Sequence, residues 1–306
     1  LYLTYQIVSA RLNRCCVIHT MADMKKLTVK NATGASAQVH THGAHVVSWK
    51  NSAGEELLFV SKQAVFKPPK AIRGGIPICF PQFSDLGPLG QHGFARNSEW
   101  RVVSEEPSRV TLGLTPSEAN LKEYPHPHEI QLTVAITDAG DLELITNVVN
   151  SGDSPMEFTY ALHTYFATPD ISKVSVEGLK GVQYLDSLQD RVQIEEQGDS
   201  VTFPENVDRI YLNTPADLKL VTSPTSTITL KKDGLPDAVV WNPWIEKAKA
   251  MGDMGDDEYK EFFCVEAAAT KGTGCPIQLA PGKTWTSTQV LSVAHAAGHV
   301  VWDARN

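Results

Sequence analysis

Past Met24 the apolar positions recur mostly at every second residue, the period of a half-buried strand. Runs at 38–49 and 56–60 flank Asn51-Ser52-Ala53-Gly54 and predict a hairpin. Short β-branched runs follow at 100–103, 109–114 and 129–137. The turn Asp138-Ala139-Gly140-Asp141 joins the last of these to 141–150, and Ser151-Gly152-Asp153-Ser154-Pro155 leads into 156–167, which predicts three strands in a meander. Further strands are predicted at 174–176, 210–212, 218–221, 227–231, 238–241, 262–267 and 285–293. Helical spacing is confined to 117–123 and 244–251, with a turn at 256–261. Many short strands with few short helices predict an all-β protein built as a large sandwich. No Pro/Ser-rich linker or break in composition divides the chain, so 21–306 reads as one domain without internal repeat.

Composition narrows the partners. At 306 residues and 42% apolar content the chain can bury a large core, and it holds no apolar run near the length of a membrane span. A soluble protein with no membrane partner is expected. A net charge of -8 argues against nucleic acid, which calls for a broad basic face. The five cysteines (Cys15, Cys16, Cys79, Cys264, Cys275) show neither metal-ligand spacing nor a disulfide framework, which fits a reducing, cytoplasmic setting. The histidines at 40, 42 and 45 and the pair His126/His128 lack partners for zinc, so no metal is expected. Residues 1–20 are acid-free and precede Met21 in MADMKKLTV. They are expected to be a disordered or non-native extension, either translated upstream sequence or an organellar targeting segment.

The chemistry concentrates in three places. Residues 71–100 pack glycines and prolines around Arg73, His92 and Arg96. Such a loop can fix side chains in space, and a guanidinium offers a planar fork of donors suited to phosphate or carboxylate. From Ser61 to Arg101 there are six basic residues against two acidic ones, so the basic patch is local, as a small-anion pocket requires. Surface ion pairing is the alternative for these arginines. In Phe158–Phe166 strand alternation places His163 on the face shared by Ala161 and Tyr165; it is either a site residue or a hydrogen-bonded core histidine. Glu266 interrupts the apolar run Phe262–Ala269, which is costly unless the carboxylate is paired or faces a wet cavity. A carboxylate and an imidazole on different strands can act as base and acid on a small substrate without a metal or redox cofactor. Trp241, Trp244, Phe83 and Phe94 are candidates for a sugar-stacking platform or simply for core.

The segments AIRGGIPICFPQF, QHGFARNSEW, FTYALHTYF, VDRIYL and KDGLPDAVVWNPW, followed by DDEYKEFFCVEAAA, resemble the glucose-6-phosphate 1-epimerases. These are the hexose-6-phosphate mutarotases of the aldose 1-epimerase superfamily, and the wording is especially close to their plant, apospory-associated protein C type. The resemblance covers Lys25 to Ala294 in order. It implies a galactose-mutarotase-like β-supersandwich, no cofactor, and interconversion of the α and β anomers of hexose 6-phosphates, chiefly glucose 6-phosphate; a monomer is expected. It places His163 and Glu266 on the catalytic histidine and glutamate, and Arg73, Gln91, Arg96 and Asp208 on substrate-holding positions. His92 falls on the second histidine of the sugar mutarotases, an auxiliary hydrogen-bond donor. The HTHGAH stretch at 40–45 departs from the family's usual wording.

For a hemiacetal the expected mechanism has Glu266 ionised, taking the proton of O1–H, and His163 protonated, giving one to the ring oxygen O5. Two other classes stand beside it. A sugar-phosphate-binding module would keep the arginines but has no need of Glu266 and His163, and a glycosidase would want two carboxylates flanking a glycosidic oxygen.

Overall fold

The computed structural model describes residues 24–273 and 277–295. The extension at 1–20, with Cys15 and Cys16, and Cys275 lie outside the described residues. Strands dominate, and the helices are the short segments Glu118–Glu123 and Trp244–Lys249 with a few single 3-10 turns. The first helix begins where a capping box requires it: Ser117 Oγ accepts from Asn120 N, and the Asn120 side chain accepts from Ser117 N.

Two large antiparallel sheets form the sandwich, with a three-stranded sheet and a two-stranded ribbon beside them. The nine-stranded sheet includes Leu142–Asn150 and Thr284–His295. Its alternation is clean: Leu142, Leu144, Thr146, Val148 and Asn150 are buried, and the residues between them are half-exposed. One face of this sheet therefore meets the core. The eight-stranded sheet differs because its central strands, Asp237–Asn242 and Phe262–Ala269, are buried at every position. One of their faces, with Ala238, Val240, Phe263, Val265 and Ala267, joins the main core shared with Leu132, Leu144, Ile228 and Leu291. The opposite face carries Val239, Trp241, Cys264 and Ala268 in separate apolar clusters, and Glu266 is in phase with them. Tyr160 on this sheet bonds Thr146 of the other through its hydroxyl at 2.7 Å.

Three predicted strands come out differently. The run 38–49 folds back on itself as Ser36–His40 and His45–Lys50, because Gly43 (φ 75°) and Ala44 (φ 45°) take left-handed backbone and close a turn at 41–44. The predicted partner 56–60 makes only isolated bridges, Lys50 with Glu56, Leu58 with Phe166 and Val60 with Gly74. The run 156–167 is cut into Met156–Phe158, Tyr160–Leu162 and Tyr165–Ala167. Several strands that carry no strong period, among them Gln183–Asp186, Val192–Glu195 and Ile78–Cys79, complete the eight-stranded sheet.

Candidate active site

The last of those breaks makes the site. Phe262–Ala269 pairs with Tyr160–Leu162 through Leu162↔Ala267 and with Tyr165–Ala167 through Tyr165↔Cys264. Between these registers His163 and Thr164 leave the ladder: His163 N–H donates to Pro77 O at 2.9 Å and Thr164 N–H to Leu162 O at 2.8 Å. Across the gap stand Val265 and Glu266. His163 Nδ1 lies 3.2 Å from Glu266 Oε1, with both side chains buried. The imidazole stacks on Tyr165 (4.8 Å, 11° between planes) and meets Trp241 edge-on at 5.7 Å. The contact is close enough for an ion pair but not aligned as a hydrogen bond, and His163 Nδ1 and Glu266 Oε2 have no hydrogen-bond partner among the described residues.

Burial, reinforced by His92, Arg96 and Arg73, holds the His163 pKa well below the imidazole range. Burial and the nearby Asp208 charge push the Glu266 carboxyl well above the usual carboxylate value. Both groups thus resist isolated charge, and burial favours a neutral imidazole beside a protonated carboxyl over the charged pair. That state and the imidazolium–carboxylate pair hold the same number of protons. The expected combination of ionised Glu266 and protonated His163 is therefore the charged tautomer of the neutral pair that burial favours.

The loop brings the other groups. Gly74 and Gly75 run so close to their neighbours that a Cβ would lie 2.4 Å from Phe59 O and 2.2 Å from Val46 O. Arg73 next to them donates through Nε to Asp253 Oδ1 (3.1 Å) and through one terminal nitrogen to the Tyr165 hydroxyl (3.2 Å). Ion pairing thus holds Arg73 in place. Arg96 is different: it donates to Gln91 O at 3.1 Å, its buried Nε lacks a partner, and it pairs with no carboxylate among the described residues. Gln91 contributes that carbonyl while its own side chain is exposed.

His92 has positive φ, 67°, as does Ser84 at 54°, strained backbone of the kind that gathers at functional sites. Ser84 N–H donates to His92 Nδ1 at 3.2 Å, and the Cys79 thiol approaches the same nitrogen at 3.1 Å. A nitrogen that accepts from an amide carries no proton, so the His92 proton resides on Nε2. Burial and the charges of Arg96 and Arg73 lower its pKa to about 3, which keeps the ring neutral.

These residues share one cavity of about 220 Å³, lined by Arg73, Gln91, His92, Arg96, His163, Asp208 and Glu266, with Ser84, Phe83, Trp241 and Lys247 among the rest. All seven residues singled out in the sequence are brought together. Of the four aromatic candidates, Phe83 and Trp241 line it; Phe94 packs in the main core beside Phe80 and His128, and Trp244 packs on Tyr259. Sequence reasoning missed Lys247, whose Nζ lies 3.2 Å from Asp208 Oδ2 and 5.8 Å from the centre of the Trp241 ring. It missed Asp253 as well. A single lysine or aspartate on a polar helix or loop carries no periodic signal.

The aldose 1-epimerase family model matches residues 25–292. The chain belongs to the aldose 1-epimerase family. Its members interconvert sugar anomers, and the sandwich described above is their galactose-mutarotase-like fold. Among relatives, a protein of Cenchrus ciliaris provisionally named glucose-6-phosphate 1-epimerase is 45% identical over 90% of this chain and 87% of its own. A protein of the same provisional name from Escherichia coli is 36% identical over 82% of this chain and 85% of its own. A solved structure described as a mutarotase of Salmonella typhimurium superposes with a TM-score of 0.80 at 32% identity, covering 90% of this chain and 92% of that one. A galactose mutarotase-like protein of Lactobacillus casei, at 19% identity and a TM-score of 0.71, covers 88% of this chain and all (100%) of its own, and shares the fold. Among the described residues no helix is long and apolar enough to cross a membrane.

Proposed function

We propose that the protein interconverts the α and β anomers of hexose 6-phosphates, chiefly glucose 6-phosphate, by acid–base ring opening and closure. The observation that carries this reading is the company Arg96 keeps: a guanidinium without a carboxylate partner among the described residues lines the same small cavity as a buried carboxyl–imidazole pair. An unpaired cation in a confined site favours an anionic ligand. The names of the relatives from Cenchrus ciliaris and Escherichia coli point to the same substrate.

The proton inventory gives the mechanism. Before ring opening the shared proton moves to His163, leaving Glu266 as carboxylate. Glu266 then accepts the proton of O1–H while His163 donates to O5, the C1–O5 bond breaks, and the open-chain aldehyde forms. Opening leaves Glu266 protonated and His163 neutral, the arrangement that burial already favours. The closed-ring and open-chain stages thus share the same neutral pair, and the charged tautomer is passed through only on the way between them. Rotation about C1–C2 presents the other carbonyl face, and the same two groups close the ring with their proton roles reversed. No proton is gained or lost over the cycle.

Around this pair, His92 offers its Nε2–H as a neutral donor, and Asp208 and Gln91 hold sugar hydroxyls. Arg73 and Arg96 take the 6-phosphate, so that binding energy remote from C1 orients the reacting end. The test is anomer exchange followed by NMR on glucose 6-phosphate beside free glucose and galactose. Acceleration is expected chiefly for the phosphorylated sugar; equal acceleration of all three removes the phosphate from the reading.

A further inference from the structure

The HTHGAH turn has no part in the chemistry described so far, yet it touches both arginine-bearing segments. Toward Arg73, two buried histidines bracket its segment: His42 Nε2 donates to Lys70 O at 2.9 Å, and His45 Nε2 donates to Gly74 O at 2.7 Å. A carbonyl can only accept, so each of these nitrogens carries its proton. Toward Arg96, Gly43 N–H donates to Ser98 O at 2.7 Å, Trp100 N–H donates to Thr41 O at 2.9 Å, and His42 forms a β-bridge with Glu99. The approach leaves no room: a Cβ on Gly43 would lie 2.7 Å from Arg96 O. Asn97, next to Arg96, ties the two segments directly by donating to Pro69 O at 2.6 Å.

We propose that the turn at 41–45 is a spacer that fixes Arg73 and Arg96 relative to one another, with His42 and His45 as positioning residues for phosphate recognition. The inference rests on the hexose 6-phosphate reading. Two guanidiniums bind one phosphate well only when their donor forks converge, and a displacement of either main chain spoils the geometry without removing charge. Neither histidine lines the cavity that holds the reacting pair. Burial lowers the His45 pKa to about 3, so near neutral pH the ring is neutral and keeps its proton on Nε2, which faces Gly74 O.

The test compares His42→Leu and His45→Leu with His42→Gln and His45→Gln, because the glutamine amide nitrogen can occupy the place of Nε2. Binding of inorganic phosphate is measured by calorimetry, and KM and kcat are measured on glucose 6-phosphate and on free glucose. The leucine variants are expected to weaken phosphate binding and raise KM for glucose 6-phosphate by about tenfold, with kcat and the rate on free glucose unchanged. The glutamine variants are expected to recover most of the loss. If a buried leucine prevents folding, Asn97→Ala, at a half-buried position, is expected to show the same KM-against-kcat split. Phosphate binding equal to wild type in the leucine and alanine variants overturns the spacer while leaving the substrate reading intact, as does an equal loss on both sugars. If the wild type itself binds no phosphate, and Arg96→Ala changes nothing, the substrate reading falls and the spacer with it.

Discussion

His163 Nδ1 lies 3.2 Å from Glu266 Oε1 because two short strands pair with one long strand and leave a two-residue gap between their registers. A continuous strand through 156–167 would have kept the His163 backbone in the ladder. Interrupting it turns a buried position of a hydrophobic sheet into a place where an imidazole can meet a carboxylate. The cavity-side face of the sheet can accept this because the main core is built on the opposite face.

Replacing either member of the pair tests its role. Glu266→Gln and His163→Ala are each expected to lower kcat by about 10²–10⁴-fold, the usual worth of a positioned acid or base. Circular dichroism and melting should remain close to wild type, since neither side chain belongs to the main apolar core. Near-normal anomer exchange in either variant removes that residue from the mechanism.

The pH profile follows from the shared proton. The active form holds one proton on the pair. Activity is lost on the acid side when the pair gains a second proton, below the lowered value of His163. It is lost on the alkaline side when the last proton leaves, above the raised value of Glu266. The expected profile is therefore a broad bell whose acid limb lies below the ordinary imidazole range. An acid limb in kcat near the free-histidine value of about 6.5, with chemistry rate-limiting, contradicts the pairing.

Much of this site was legible in the sequence because its residues break local rules. Glu266 stands in an apolar strand, and Arg73, His92 and Arg96 stand in a loop whose glycines and prolines have no purpose unless something is being held. The sandwich was legible from period-two runs such as 141–150. The breaks were not. Nothing local in Tyr160–Phe166 announces that His163 leaves the ladder, because the cause lies in the hydrogen bond to Pro77 O, distant in sequence. Val192–Glu195 was invisible for the opposite reason: an exposed edge strand needs no apolar alternation. Lys247 and Asp253 act on the site through single ion pairs that sequence spacing cannot encode.

Stability should also respond to acid. Burial, the largest influence on both, lowers the pKa of His45 and of His92 to about 3, far below the unfolded value. A depressed histidine contributes stability that is fully present above its unfolded pKa and is lost as pH falls from there toward the folded value. Each of the two is expected to remove up to about 1.4 kcal/mol of stability per pH unit below about pH 6.5. Urea melts at pH 7 and pH 5 check this, and His45→Gln should flatten the dependence. A wild-type midpoint unchanged between those two pH values contradicts the burial of these rings.

The arginines separate a phosphosugar enzyme from a general aldose mutarotase, and the structure makes the two unequal. Arg73 already spends donors on Asp253 and Tyr165, whereas among the described residues Arg96 meets one carbonyl, Gln91 O, and its Nε has no partner. Arg96→Ala is expected to weaken glucose 6-phosphate by about 1.5–3 kcal/mol, the worth of a charge-assisted hydrogen bond, with little loss on free glucose. Arg96→Lys should recover only part of this, since it keeps the charge and loses the fork. Arg73→Ala should cost affinity too, but with lower thermal stability, because it leaves Asp253 unpaired. Inorganic phosphate or sulfate should compete with the substrate in wild type and compete less in Arg96→Ala. Equal losses on glucose and glucose 6-phosphate in Arg96→Ala, with no competition by phosphate, would make the arginine a support for the loop and leave the enzyme a mutarotase of free sugars.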